Sequence, residues 1–63
     1  MPARVKAVFL VQRKQGSDWL FCTDIAPLYD QADASVKYDS LRREPVPYRI
    51  ILVQGARAER FLG

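Results

Sequence analysis

The sequence contains no histidine, and it has a single cysteine, Cys22, among its 63 residues. Without an imidazole the commonest general base near neutral pH is missing, which excludes Ser-His-Asp and Cys-His catalytic arrangements. One thiol forms no internal disulfide and supplies too few ligands for a structural zinc site. We therefore expect a protein that is not an enzyme and that uses no catalytic residue, metal or cofactor.

Long apolar runs and glycine-rich stretches are missing as well. No run approaches the about 20 residues that a membrane-spanning helix needs. The glycines are isolated, so no phosphate-binding loop is present. The chain starts with an alternating segment rather than the apolar block of a signal peptide. These absences predict no membrane partner and no small-molecule substrate, and the single thiol fits a reduced, cytoplasmic location.

The composition is that of an ordinary globular protein, with 49% hydrophobic and 27% charged residues. The length allows one domain, residues 1–63, in which residues 56–63 form either a loosely attached tail or an extra strand. A domain this small buries only about 60% of the surface that its unfolded chain exposes, so its stability is marginal. Small scaffolds are usually stabilised by disulfides, metals or association. With the first two excluded, another polypeptide is the remaining candidate.

Three segments alternate between the two faces of a strand, at residues 4–14, 19–23 and 48–53. Residues 15–18 contain Gly16 and form a turn between the first two segments. Residues 31–43 contain no helix breaker, Asp30 is the predicted N-cap, and the helix ends before Pro45. Ala34, Tyr38 and Leu41 recur at spacings of four and three residues, which predicts a narrow apolar stripe along this helix.

The order of these elements predicts a small α+β fold of the type β-β-α-β. A helical crossover brings the third strand beside the first, giving a three-stranded antiparallel sheet in the order 2-1-3 with the helix on one face. The last segment, residues 56–62, is left open as a fourth strand or a helical turn. The predicted helix-covered face comprises Val5, Ala7, Phe9, Val11, Trp19, Phe21, Ile50 and Leu52.

The opposite face of this predicted sheet is unexpectedly apolar. An antiparallel sheet with one solvated face normally carries polar side chains there. Either the C-terminal segment folds back and Phe61 and Leu62 cover this face, or another chain covers it. The second alternative predicts an interface with an apolar centre and a basic rim. The residues predicted to bind the partner are Val8, Leu10, Leu20, Ile51, Val53, Lys6 and Arg49.

Charge suggests a competing interpretation. The net charge is +3, and the basic ends of the chain flank a middle part rich in aspartate. If the basic ends merge in space, they would contact phosphates without reading bases, and the protein would bind nucleic acid non-specifically. The residues predicted for this alternative are Arg13, Lys14, Arg42, Arg43, Arg57 and Arg60.

In its small size, lack of catalytic residues and plain β-β-α-β layout, the chain resembles the small accessory proteins of phages and mobile elements. That resemblance implies a protein that binds and blocks one complex. We therefore expect a non-enzymatic interaction module, an accessory or inhibitor protein that binds a protein partner or its own copy as a homodimer.

Overall fold

The computed structural model describes residues 6–63 and contains one antiparallel four-stranded sheet, in the order β2-β1-β3-β4, and one helix. The predicted α+β fold, with the order 2-1-3 and a helix on one face, is confirmed, and the C-terminal segment is a fourth strand. The predictions for Arg4 and Val5 lie outside the described residues. The elements are β1 (Ala7–Gln15), β2 (Asp18–Phe21), α1 (Gln31–Leu41), β3 (Tyr48–Gln54) and β4 (Arg57–Leu62).

Both hairpins have the same two-residue turn. Gln15 pairs with Asp18 across Gly16-Ser17, and Gln54 pairs with Arg57 across Gly55-Ala56. The φ angles of Gly16 and Gly55 are 64° and 59°, whereas no other residue type has a positive φ among residues 6–63. Glycine at the first central position with positive φ is the pattern of a type II′ turn, whose twist suits the flanking strands.

The two-residue turn overturns the predicted orientation of β2. It pairs Lys14 with Trp19, Gln12 with Phe21 and Arg13 with Leu20. Residues paired across an antiparallel ladder point to the same face, so an offset of one residue reverses every side chain of the strand. Trp19 and Phe21 therefore lie on the face away from the helix, not under it. Leu20 and Cys22 lie on the helix side, again contrary to the prediction.

Helix α1 begins and ends at identifiable signals. The carboxylate of Asp30 accepts a hydrogen bond from the Ala32 N–H at 2.7 Å. Asp30 is therefore the N-cap, as predicted. The helix ends at Leu41, two residues before the predicted end, because the Pro45 ring would clash with the Leu41 carbonyl if the helix continued. The two arginines after Leu41 consequently lie beyond the last helical turn.

The core lies between α1 and one face of the sheet. Phe9, Val11 and Ile50 from the strands pack with Ala34 and Leu41 from the helix, and all five are buried. The predicted apolar stripe of the helix is confirmed, since Tyr38 packs against the same cluster as Ala34 and Leu41. The partly buried hydrophobic residues around this cluster are Cys22, Ile25, Leu28, Tyr38, Tyr48, Leu52, Phe61 and Leu62.

A register shift directs the end of β4 towards this core. Ile50 pairs with Leu62 while Ile51 pairs with Arg60, so Phe61 is an additional residue in the ladder. The Phe61 ring lies 4.9 Å from the Phe9 ring, and both Phe61 and Leu62 pack against the buried cluster. The alternative in which these two residues cover the second face is therefore wrong.

Candidate functional site

We call the side of the sheet opposite α1 the open face. The helix packs on the other side, and within residues 6–63 the open face carries no second layer. The pairing register determines which side chains share it. They are Val8, Leu10, Gln12, Lys14, Trp19, Phe21, Arg49, Ile51, Val53, Ala58 and Arg60.

One half of the open face is apolar. Val8 lies opposite Val53 and Leu10 lies opposite Ile51, so four of the seven residues predicted to bind a partner are brought together. Ile51 is only 8% exposed, because flanking side chains shield it. Phe21, which is 54% exposed, adds an aromatic ring that the sequence prediction had placed under the helix.

The other three predicted residues are placed less uniformly. Arg49 lies on the open face, two residues along β3 from Ile51, as predicted. Lys6 is exposed immediately before β1. Leu20 is 47% exposed and lies on the helix side, so it is not part of the apolar half. Apart from Leu20, the other six of the seven residues predicted to bind a partner keep that role as a prediction.

The other half of the open face is polar and ordered around Arg49. The Arg49 Nε donates a hydrogen bond to the Gln12 Oε1 at 2.7 Å. The guanidinium carbon lies 4.3 Å from the centroid of the Trp19 ring, and the Lys14 Nζ lies 5.9 Å from the same ring. Cations within about 6 Å of an aromatic face are attracted by its quadrupole. Gln12 is 7% exposed and is the buried polar residue of the described chain.

The sequence prediction missed Trp19, Phe21 and Gln12 as parts of this surface. The signal for the first two was present in the tetrapeptide of residues 15–18, because a glycine at the first position of a two-residue turn sets the register of the hairpin. For Gln12 no such signal existed, since its partner Arg49 is 37 residues away along the chain.

The charge of the open face is of one sign. Within the described part of the chain it carries Lys14, Arg49 and Arg60 and no acidic residue. Glu59 lies at its border, where it lines a shallow depression together with Arg49 and Arg60. Among residues 6–63 one ion pair is shorter than 4 Å. It joins Arg42 and Asp39 at the end of α1, away from these cations. The cations of the open face therefore form no ion pair shorter than 4 Å within residues 6–63, although Glu59 lies beside them.

No protein-family model, no curated protein and no solved structure matches this chain. Within the described range, no group of three or more histidine, cysteine, aspartate or glutamate side chains is arranged to hold a metal ion. In the same part of the chain, no helix is both long and apolar enough to cross a membrane.

The six cations predicted for nucleic acid do not form one patch. Lys14 and Arg60 lie on the open face, whereas Arg13 and Arg57 lie on the helix side. The other two, Arg42 and Arg43, follow the helix and are exposed. The Lys14 N–H donates to the Pro47 carbonyl at 3.0 Å, so the first hairpin contacts the link after the helix.

Cys22 follows β2, and its N–H donates to the Val11 carbonyl at 2.9 Å. Burial raises the pKa of the Cys22 thiol above its ordinary value, the nearby Arg13 lowers the pKa, and Asp24 raises it. Because burial is the largest of these influences, less thiolate is present near neutral pH than in a free cysteine.

We expect iodoacetamide to alkylate Cys22 more slowly in the native protein than in the urea-unfolded protein at about pH 8.5, because the thiolate is the reactive form. The pH of half-maximal rate should lie higher in the native protein. Arg13→Gln removes the cation that lowers the pKa and should slow alkylation further. Equal rates in native and unfolded protein would contradict the expectation.

Proposed function

We propose that the protein acts by binding another protein through its open face, and that the bound surface is apolar in one part and acidic in another. The observation that carries this proposal is an uncovered sheet face that combines an apolar half with three cations that form no ion pair shorter than 4 Å within residues 6–63. Apolar patches with a polar surround mark interaction sites. Tryptophan, phenylalanine and arginine are also enriched at interfaces.

The apolar half supplies the energy of this proposed contact. Leu10 is partly buried and Phe21 is more than half exposed, so each has apolar area left to bury against a partner. Complete burial of such a side chain contributes about 1.5–3 kcal/mol. A marginal domain without disulfide or metal also gains stability when its partner is bound, because a ligand of the native state shifts the folding equilibrium.

Charge favours a different protein over a second copy. A two-fold dimer places the same patch of both subunits face to face. The open face of one copy, with Lys14, Arg49 and Arg60, would then meet an equally basic face, and like charges across an interface are costly. An acidic partner would instead be attracted and oriented. The chain would act by occupying that partner's surface, as an accessory or inhibitor protein does, in the reducing cytoplasm where Cys22 stays a thiol.

Site-specific photo-crosslinking tests the proposal. A benzoyl-phenylalanine at position 21 reports from the open face, and the same probe at position 36 reports from the exposed helix surface, since Phe21 and Val36 are 54% and 69% exposed. We expect position 21, but not position 36, to crosslink a second protein in cells of the source. That protein, purified, should bind the wild type with an affinity that falls about tenfold in Phe21→Ala, corresponding to about 1.4 kcal/mol.

Val36→Ala is the matched control and should bind as the wild type does. Adducts between two copies of this chain would replace the proposed partner with a homodimer. Nuclease-sensitive adducts would favour nucleic acid instead. Equal crosslinking at both positions, or an unchanged affinity of Phe21→Ala, would contradict binding through the open face.

A further inference from the structure

Arg49 differs from an ordinary surface arginine because it is fixed at two points. Its Nε donates to the buried Gln12 amide oxygen, and its guanidinium carbon lies 4.3 Å from the Trp19 ring centroid. Long cationic side chains usually lose considerable conformational entropy when they bind. In Arg49 this side-chain entropy is already lost on folding, so the guanidinium is oriented before a partner binds.

The two groups that fix Arg49 leave its charge uncompensated. Gln12 is neutral, and the Trp19 ring has only a quadrupole. Among residues 6–63 no carboxylate lies within 4 Å of the guanidinium. The hydrogen bond from Nε leaves the Nη1 and Nη2 groups without a side-chain acceptor in that range. Arg49 also lines a shallow depression together with Phe21, Ile51 and Arg60. Glu59 lines the same depression but forms no ion pair shorter than 4 Å with the guanidinium.

We propose that Arg49 is a preorganised carboxylate receptor that receives an aspartate or glutamate side chain of the partner protein. This inference rests on the proposed function and names the chemistry that the open face recognises. The Nη1 and Nη2 groups donate two parallel hydrogen bonds to the two carboxylate oxygens, the bidentate geometry that suits a guanidinium. Residues beside that acid contact Phe21 and Ile51.

Three observations favour a protein carboxylate over a nucleic-acid phosphate. The receptor adjoins an aliphatic surface, which a partner protein can cover and a phosphate backbone cannot. Arg49 occupies a face of the Trp19 ring, so that face is not available for stacking on a base. The six cations predicted for nucleic acid are distributed over both sides of the sheet, so they do not form a track for a phosphate backbone.

Trp19 is the chain's single tryptophan, so its fluorescence reports directly on the guanidinium above it. The probe is the blocked tetrapeptide Leu-Glu-Glu-Leu, compared with Leu-Gln-Gln-Leu, inorganic phosphate and oligothymidylate. We expect the glutamate peptide to change the emission saturably and to bind about tenfold more tightly than the glutamine peptide, because a charge-assisted pair is lost in the latter.

Three variants examine the receptor itself. Arg49→Lys keeps the positive charge but lacks the planar guanidinium with its paired donors. We expect this variant to bind the glutamate peptide about tenfold more weakly. Gln12→Glu places a carboxylate where the amide oxygen accepts from Nε, so it should neutralise Arg49, retain the fold and abolish preference for glutamate over glutamine. Arg57→Gln removes an exposed cation on the helix side of the sheet and should bind as the wild type does. Thermal unfolding of each variant confirms that it is folded.

The alternative outcomes separate this inference from the proposed function. If both peptides bind equally and Phe21→Ala weakens both, the open face binds proteins but Arg49 is no carboxylate receptor. If phosphate or oligothymidylate binds more tightly than the glutamate peptide and depends on Arg49, the receptor serves a phosphate and the carboxylate assignment is wrong. If no probe affects Trp19, the inference is overturned, while crosslinking at position 21 still decides the proposed function independently.

Discussion

Replacing Ile50 by alanine is expected to lower the free energy of unfolding by about 2–5 kcal/mol, the usual range for an enclosed core position. Ile50 is 0% exposed and packs in the cluster between the sheet and α1. Its truncation loses both the transfer free energy of the side chain and the contacts around the resulting cavity. A core of this size supplies only about 3–5 kcal/mol, so the variant should be largely unfolded at 25 °C.

The neighbouring Ile51→Ala is the matched control, because it makes the same chemical change on the opposite face of β3. Ile51 is 8% exposed, but the open face above it has no second layer within residues 6–63. Water can therefore fill the vacated space, and we expect a loss of about 1–2 kcal/mol, close to the transfer part alone. Urea unfolding followed by circular dichroism measures both. A larger loss for Ile51→Ala than for Ile50→Ala would contradict the assignment of the two faces.

The second large effect is expected at Ala34, which lies in the buried cluster between α1 and the sheet. Ala34 is 0% exposed. Ala34→Leu inserts a larger side chain into packed space, and overpacking of this kind typically costs about 1–3 kcal/mol. The helix would have to move away from Phe9 and Ile50.

Ala32→Leu provides the comparison within the same helix. Ala32 is exposed, and leucine is nearly as good a helix former as alanine, so the unfolding free energy should change by less than about 0.5 kcal/mol. Thermal unfolding of both variants is the measurement. If Ala34→Leu were as stable as Ala32→Leu, the helix could not lie against the sheet at this position.

These two experiments concern the parts of the fold that the sequence predicted best. Alternation along β1 and β3 predicted that Phe9, Val11 and Ile50 share the helix side, and their spacing predicted Ala34 and Leu41 as the buried stripe of α1. Such predictions succeed because the two-residue period of a strand and the 3.6-residue period of a helix are properties of the local backbone.

In the candidate site, the sequence predicted the apolar half and Arg49 beside it. The two-residue period of a strand places four apolar side chains together on the open face, as it places the core residues on the helix side. They are Val8, Leu10, Ile51 and Val53. The polar half depends on pairing between segments far apart in sequence. Trp19, Gln12 and Arg49 meet only because β1 pairs on one side with β2 and on the other with β3.

By itself the sequence determined three of the four strands and the helix, the order 2-1-3, the N-cap at Asp30 and the apolar character of the second face. Only the tertiary structure decided that Trp19 and Phe21 lie on that face and that Phe61 turns towards the core. The physical reason is that alternation sets the period of a strand but not its register, and a shift of one residue exchanges the two faces. The register of β2 follows from the turn at Gly16, a local signal that alternation does not include, whereas the position of Phe61 follows from packing around Phe9, which no single segment contains.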